Sequence, residues 1–441
     1  MNANFVSFDD MQHRVADVLS TTETMPAAVD RLYLVRDLLG RVRISVSDTV
    51  EDDESCQDAL KRFARNLQRE LGPHGYNEEE AVLFVDEKML DELSEVARPL
   101  ELFISGGKTG HAMSLVYWVE RLVTGHGWWS VAVRPESGAQ RFTLYSVKGG
   151  AGRSTTVAVL AWHLARNGQR VLVVDLDLES PGLSSVMLDA RQRPRFGVAD
   201  WFVEDLVEQG DHVVEAMIAA PAWAQDLDGD VRVVPAYGGE PGEYLAKLGR
   251  AYMDTDESWA ARLSRLVSQL EDAHKPSIVL LESRSGLHDI AAATVTDLHA
   301  QVLLFALDSD GHWDDYAILF RHWQEQDVAA AIRERLSIVS ALTPELGTEV
   351  YLQRFRERAW DLFRDHLYDD VPPSDCSSDP FSFDLSDDDA PHDPFVIHWT
   401  RGLAAGASLR NLERTTVRQA YESFLARFDT LVAFDNNGEA R

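Results

Sequence analysis

The stretch Lys148-Gly149-Gly150-Ala151-Gly152-Arg153-Ser154-Thr155 puts three glycines, two cations and two hydroxyls into eight residues. Glycines at 149, 150 and 152 let backbone N–H groups curl around an anion without Cβ clashes. A helix starting near Ser154 would aim its positive end at the same anion. The Ser154 hydroxyl stands where such a loop offers a ligand to Mg²⁺. Against the strict pattern G-x-x-x-x-G-K-[ST], Val147 replaces the first glycine and Arg153 replaces the lysine. Arginine keeps the charge and can grip phosphate bidentately, but it is longer and planar. Acids follow. RVLVVDLDLESPG ends in Asp175, Asp177 and Glu179, which alternation places on one side of a strand. SIVLLES ends in Glu282 and runs into Ser283-Arg284-Ser285-Gly286-Leu287. Carboxylates at strand ends beside a phosphate loop can hold hydrated Mg²⁺ or orient an attacking water. We read Asp175 and Glu282 as metal-side acids, Glu179 as a solvated strand-end acid, and the Gly286 N–H as facing phosphate. Arg284 reads equally as a phosphate or partner contact and as a surface residue. His288 and His312 show no metal-ligand spacing, and Ser105 to Gly110 (SGGKTG) reads as a turn because no helix start follows it.

These residues need a sheet that brings them together. From Arg141 the sequence alternates strand and helix: FTLYSV, STTVAVLAWHLARNG and RVLVVDLD, then VRVVPA, SIVLLES, QVLLFAL and LSIVSAL with helical stretches between them. That pattern predicts an α/β fold with an open, mostly parallel sheet and helices on both faces. Before it, helical spacing in PAAVDRLYLVRDLLGRV and CQDALKRFARNLQREL, then the short apolar runs AVLFVD and ELFIS, predict a smaller α+β module. The expected domains are 1–137 and 138–441. Within the second, 369–394 is rich in Asp, Ser and Pro and reads as an acidic mobile segment. FVIHWT and a last helix near Asn411 to Val432 follow. Its stripe of Leu412, Phe424, Phe428 and Leu431 is expected to pack on the sheet, since its other face carries acids where a membrane-surface helix needs cations.

The loop resembles the deviant P-loop ATPases of the ParA/MinD superfamily, whose motif is K-G-G-x-G-K-[ST], and more closely the KGGVGR-motif variant group. The resemblance covers roughly Arg141 to Ala341. It implies a P-loop NTPase fold that binds ATP and Mg²⁺ through Lys148 to Thr155 and forms a nucleotide-dependent homodimer. It further implies that Lys148 reaches the partner subunit's phosphates, that Arg153 holds the β- and γ-phosphates of its own nucleotide, and that Asp177 orients water. Asp177 and Lys148 are thus the catalytic candidates. Glu282 stands where the family usually has Asp, and Arg284 where many relatives have a proline or small residue.

Composition limits the functions further. In 441 residues, 42 Lys and Arg against 73 Asp and Glu leave a net charge of −31, which weighs against a chain whose main work is coating DNA. Arg401, Arg410, Arg414, Arg418 and Arg427 are the candidates for such a surface. Two cysteines are too few for a disulfide framework, and no leader or membrane-spanning run stands out, so the expected setting is cytoplasmic without a membrane. Three functions remain in order: a slowly hydrolysing ATP switch acting on a protein partner through residues 1–137, a non-hydrolysing ATP-sensing scaffold, and a DNA-partition ATPase.

Overall fold

The computed structural model describes residues 6–21, 25, 26, 28–100, 115–121, 128, 138–239, 242–253, 255, 257–370, 380–404 and 414–436. The chain divides into two compact units, Met1–Val123 and Thr124–Arg441.

The first unit is a mixed five-stranded sheet in the order β3-β2-β1-β5-β4. Its strands are β1 (Arg31–Arg36), β2 (Val42–Ser47), β3 (Val82–Val85), β4 (Arg98–Pro99) and β5 (Leu115–Glu120). β1 runs antiparallel to β2 and parallel to β5. The helix expected over PAAVDRLYLVRDLLGRV is corrected here, because that segment forms the β1–β2 hairpin. Leucines at helical spacing mimic an amphipathic stripe, yet Leu32 and Leu34 enter one core and Tyr33 the other, so alternation decides. Asp37 closes the turn by accepting the amides of Leu39 and Arg41, and Gly40 takes φ 75°. CQDALKRFARNLQREL is helical, within Glu54–Leu71, with Asp53 capping its first turn and Cys56, Leu60, Phe63, Leu67 and Leu71 buried. AVLFVD contains β3, whereas ELFIS and Ser105 to Gly110 lie outside the described residues.

The second unit is built on seven strands: β6 (Gln140–Tyr145), β7 (Arg170–Asp175), β8 (Asp230–Val234), β9 (Ile278–Glu282), β10 (Gln301–Ala306), β11 (Leu336–Thr343) and β12 (Phe395–His398). Their order is β12-β11-β10-β6-β9-β7-β8, and every pairing is parallel. Alternate residues build two cores. Phe142, Leu144, Val171, Val173, Leu280 and Phe305 pack under the helices Arg153–Arg166 and Arg414–Asn436. On the other face, Leu172, Val174 and Leu281 meet Trp259–His274, while Tyr145, Leu304 and Ile338 meet Asp310–Glu325 and Thr348–His366. Helices therefore cover both faces, as the strand-helix alternation predicts. Strand order also positions the chemistry. β9 lies between β6 and β7, with Glu282 in register with both Leu144 and Asp175.

Phe424 and Phe428 of the last helix are buried in the sheet core and Leu431 packs against it; Leu412 lies outside the described residues. The acidic segment departs from expectation over 380–394, which is packed rather than mobile. Its composition is polar, but Phe381 packs edge-on and Phe383 tilted against Tyr368, His392 is fully buried with Nδ1 2.6 Å from the Tyr368 hydroxyl, and Ile338 N–H donates to Pro391 O. Arginines neutralise the acids: Arg333 pairs with Asp369, Arg356 with Asp388, and Arg427 with Asp393. Residues 371–379 lie outside the described ones. Among the described residues, no helix is long and apolar enough to cross a membrane.

Candidate functional site

β6 ends at Tyr145, and the chain turns through Ser146 to Gly152 before the helix Arg153–Arg166 begins. Gly150 and Gly152 both take φ 83°, a left-handed conformation that side-chain-bearing residues rarely adopt, so the loop's curl depends on them. Gly149 completes the glycine set, Ala151 is buried in the sheet core, and Ser154 and Thr155 sit half-buried in the first helical turn. The helix start thus presents unpaired amides and its positive end at the carboxyl edge of the sheet.

The sheet brings Asp175, Asp177, Glu282, Arg153 and Ser154 together at that edge. Ser154 donates its hydroxyl to Glu282 Oε1 at 2.5 Å. Arg153, 6% exposed, donates to Ser283 O at 2.6 Å and lies 3.4 Å from Asp177 Oδ2. Asp177 Oδ1 accepts the Ser180 amide, and Asp175 Oδ1 accepts the Asp177 amide. Three buried carboxylates therefore gather round one guanidinium. Burial, then the Glu282 and Asp177 charges, raise the Asp175 carboxyl well above its usual range. Burial likewise raises Glu282 to about 7, opposed by the Ser154 hydrogen bond and Arg153. Asp175 Oδ2 and Glu282 Oε2 are buried without a hydrogen-bond partner. A hard divalent cation fits this set of oxygens, because it would partner both atoms and neutralise the excess charge. Among the described residues no three His, Cys, Asp or Glu side chains form a metal cage.

Two residues are placed differently from the expectation, Gly286 and Glu179, and Lys148 has a partner that the sequence did not show. The Gly286 amide, expected on phosphate, donates instead to Ser146 O, because the β9 loop runs alongside the end of β6; Gly286 takes φ 92° and its carbonyl accepts the Tyr145 hydroxyl. Glu179 is not simply solvated but pairs with Arg284. Lys148 leaves its own glycines and sets Nζ 3.3 Å from Asp315 Oδ2, over Gly311, where a Cβ would stand 2.5 Å from Nζ. Asp315 has no signal in the sequence; the helix Asp310–Glu325 brings it to Lys148. His312 is buried, and burial followed by the Lys148 charge lowers its pKa.

Residues 142–358 match the CobQ/CobB/MinD/ParA nucleotide binding domain. This stretch is a ParA/MinD-type P-loop domain. Among solved structures the chain is similar to cobyrinic acid a,c-diamide synthase from Mycobacterium smegmatis with a bound ATP analogue and magnesium, at 18% identity and TM-score 0.37, covering 53% of this chain and 86% of that one. It is similar to the septum site-determining protein MinD of Pyrococcus horikoshii complexed with Mg-ADP, at 19% identity and TM-score 0.42, covering 67% and 98%. It is also similar to a variant of McdA from Cyanothece in complex with ATP, at 15% identity and TM-score 0.35, covering 51% and 80%. No curated protein matches this chain in sequence.

Proposed function

We propose that the second unit binds Mg-ATP at Lys148 to Thr155, hydrolyses it slowly, and works as a dimeric switch whose state passes to a protein partner through the first unit. One observation carries this reading. A left-handed glycine loop opening a helix stands beside Ser154 and two buried carboxylate oxygens that have no partner. In this reading the loop amides and Arg153 would bind phosphate, Ser154, Asp175 and Glu282 would hold Mg²⁺, and Asp177 would accept a hydrogen bond from the attacking water. Mg²⁺ would supply neutralisation of phosphate charge. Lys148, half-exposed and turned away from its own loop, is free to serve a second subunit once it leaves Asp315.

The non-hydrolysing alternative also has an observation behind it. Arg153 is committed to Asp177 and Ser283, so the proposed water-orienting acid already has a cation on it. DNA partition has less support, since Arg427 is paired with Asp393 and Asp389; Arg410 lies outside the described residues. Arg401 and Arg418 are exposed.

Titration of labelled ATP with Mg²⁺ against wild type, Arg153→Ala and Ser154→Ala tests the site. Wild type binds, Arg153→Ala weakens binding about tenfold or more, and Ser154→Ala loses most of the Mg²⁺ dependence. Equal affinity in wild type and Arg153→Ala, or no binding by wild type, would remove the assignment.

A further inference from the structure

The segments after β7 and β9 leave paired strands, where the Leu176 amide still donates to the Glu282 carbonyl; beyond that bond, side chains join the two loops. A closed ring of contacts does this. Arg153 holds the Ser283 carbonyl at 2.6 Å; the chain passes from Ser283 to Arg284; Arg284 Nη2 pairs with Glu179 Oε2. The chain then runs back through Leu178 to Asp177, whose Oδ2 lies 3.4 Å from Arg153. Leu178 is pinned inside the ring, buried in the core with its carbonyl accepting the Tyr244 hydroxyl at 2.5 Å. The Arg284 side chain is 21% exposed and that of Glu179 36%, so the pair lies at the rim of the site. Arg284 Nη1 and the Tyr252 hydroxyl are both buried without a hydrogen-bond partner.

Resting on the nucleotide-binding reading above, we propose that Glu179 and Arg284 are positioning residues whose ion pair clasps the Asp177–Ser180 segment to Ser283–Gly286 and so sets where the Asp177 carboxylate stands. A partly exposed ion pair adds little to folding. Its effect lies in placement, because a shift of about 1 Å in a reacting group can lower a rate by about a hundredfold. Opening the ring frees the Asp177 loop while Arg153, Ser154 and the glycine amides keep their grip on phosphate. Turnover and affinity should therefore separate.

The test uses the full chain as wild type, Glu179→Gln, Arg284→Gln and the exchanged pair Glu179→Arg with Arg284→Glu. Hydrogen exchange without nucleotide reads the clasp directly. Amides of 176–180 and 283–286 should exchange roughly tenfold faster in each single variant and return toward wild type in the exchanged pair. Mg-ATP affinity should stay within about threefold, while single-turnover hydrolysis falls roughly tenfold to a hundredfold and recovers in part in the exchanged pair. Unchanged exchange in the single variants overturns the clasp. Faster exchange with wild-type turnover, or turnover and affinity falling together, overturns the positioning role. A wild-type chain that binds no Mg-ATP overturns the nucleotide reading, recognisable because exchange still responds to the variants, and the positioning role falls with it.

Discussion

Glu282→Gln should make the metal-free protein more stable above neutral pH and less responsive to Mg²⁺. In the folded chain burial raises this carboxyl from its ordinary 4.5 to about 7, so between those values the folded state keeps a proton that the unfolded state has lost. Stability is therefore fully present below pH 4.5 and is lost as pH rises through 7. A rise of roughly 2.5 pKa units at 1.36 kcal/mol each gives about 3 kcal/mol lost above pH 7. Glutamine keeps the shape and an oxygen to accept the Ser154 hydroxyl but carries no charge to bury. Both proteins retain Asp175, whose carboxyl the Glu282 charge also raises, so the difference between them reports the coupled pair rather than position 282 alone. Thermal unfolding in EDTA should show near-equal midpoints at pH 4.5, with the variant higher by roughly 5 °C at pH 8. Adding Mg²⁺ and ATP should stabilise wild type more than the variant, because the buried Glu282 Oε2 then gains a partner. A midpoint difference that stays constant with pH, or that favours wild type increasingly as pH rises without metal, would refute the reasoning.

Two further outcomes follow from the same geometry. Asp177→Ala should bind Mg-ATP within about threefold of wild type and lose about a hundredfold or more in single-turnover hydrolysis; turnover at the wild-type rate would make Asp177 a strand-end acid only. Lys148→Ala should abolish an increase in mass seen by light scattering with Mg²⁺ and a non-hydrolysable ATP analogue, since facing tetraanions need a cation from each side; equal nucleotide-dependent masses would show that Lys148 does not join subunits.

The strands of the second unit were legible because a parallel sheet buried on both faces requires continuous apolar runs, and FTLYSV, RVLVVD and SIVLLE have no other use for so many β-branched and aliphatic residues. The first unit was harder to read. In RLYLVRDLLG the spacing of Leu32, Val35 and Leu39 satisfies a helix as well as a hairpin, and the deciding features are local: the Asp37 side chain accepting two amides, and a glycine with φ 75°. The acidic segment misled for a different reason. Average polarity hides a few anchors: Phe381, Phe383 and His392 are held by Tyr368 and Trp360, while three arginines distant in sequence pair with Asp369, Asp388 and Asp393.

Site chemistry was legible residue by residue, but its wiring was not. The glycine loop and the acids could be named from spacing, yet what joins them is the order β6-β9-β7, which inserts Glu282 between Ser154 and Asp175. The same order brings Arg153 onto Ser283 and Arg284 onto Glu179. This has a consequence for the arginine that replaces the usual lysine. A lysine ammonium is a single charge centre, whereas the planar guanidinium touches Ser283 O with one nitrogen and faces Asp177 with another. Arg153 thereby spans both acid-bearing loops while standing in the first turn of the phosphate helix. Its length, which looks like a defect when the motif is read alone, is what lets one residue tie the loop to both segments that would have to respond to a nucleotide.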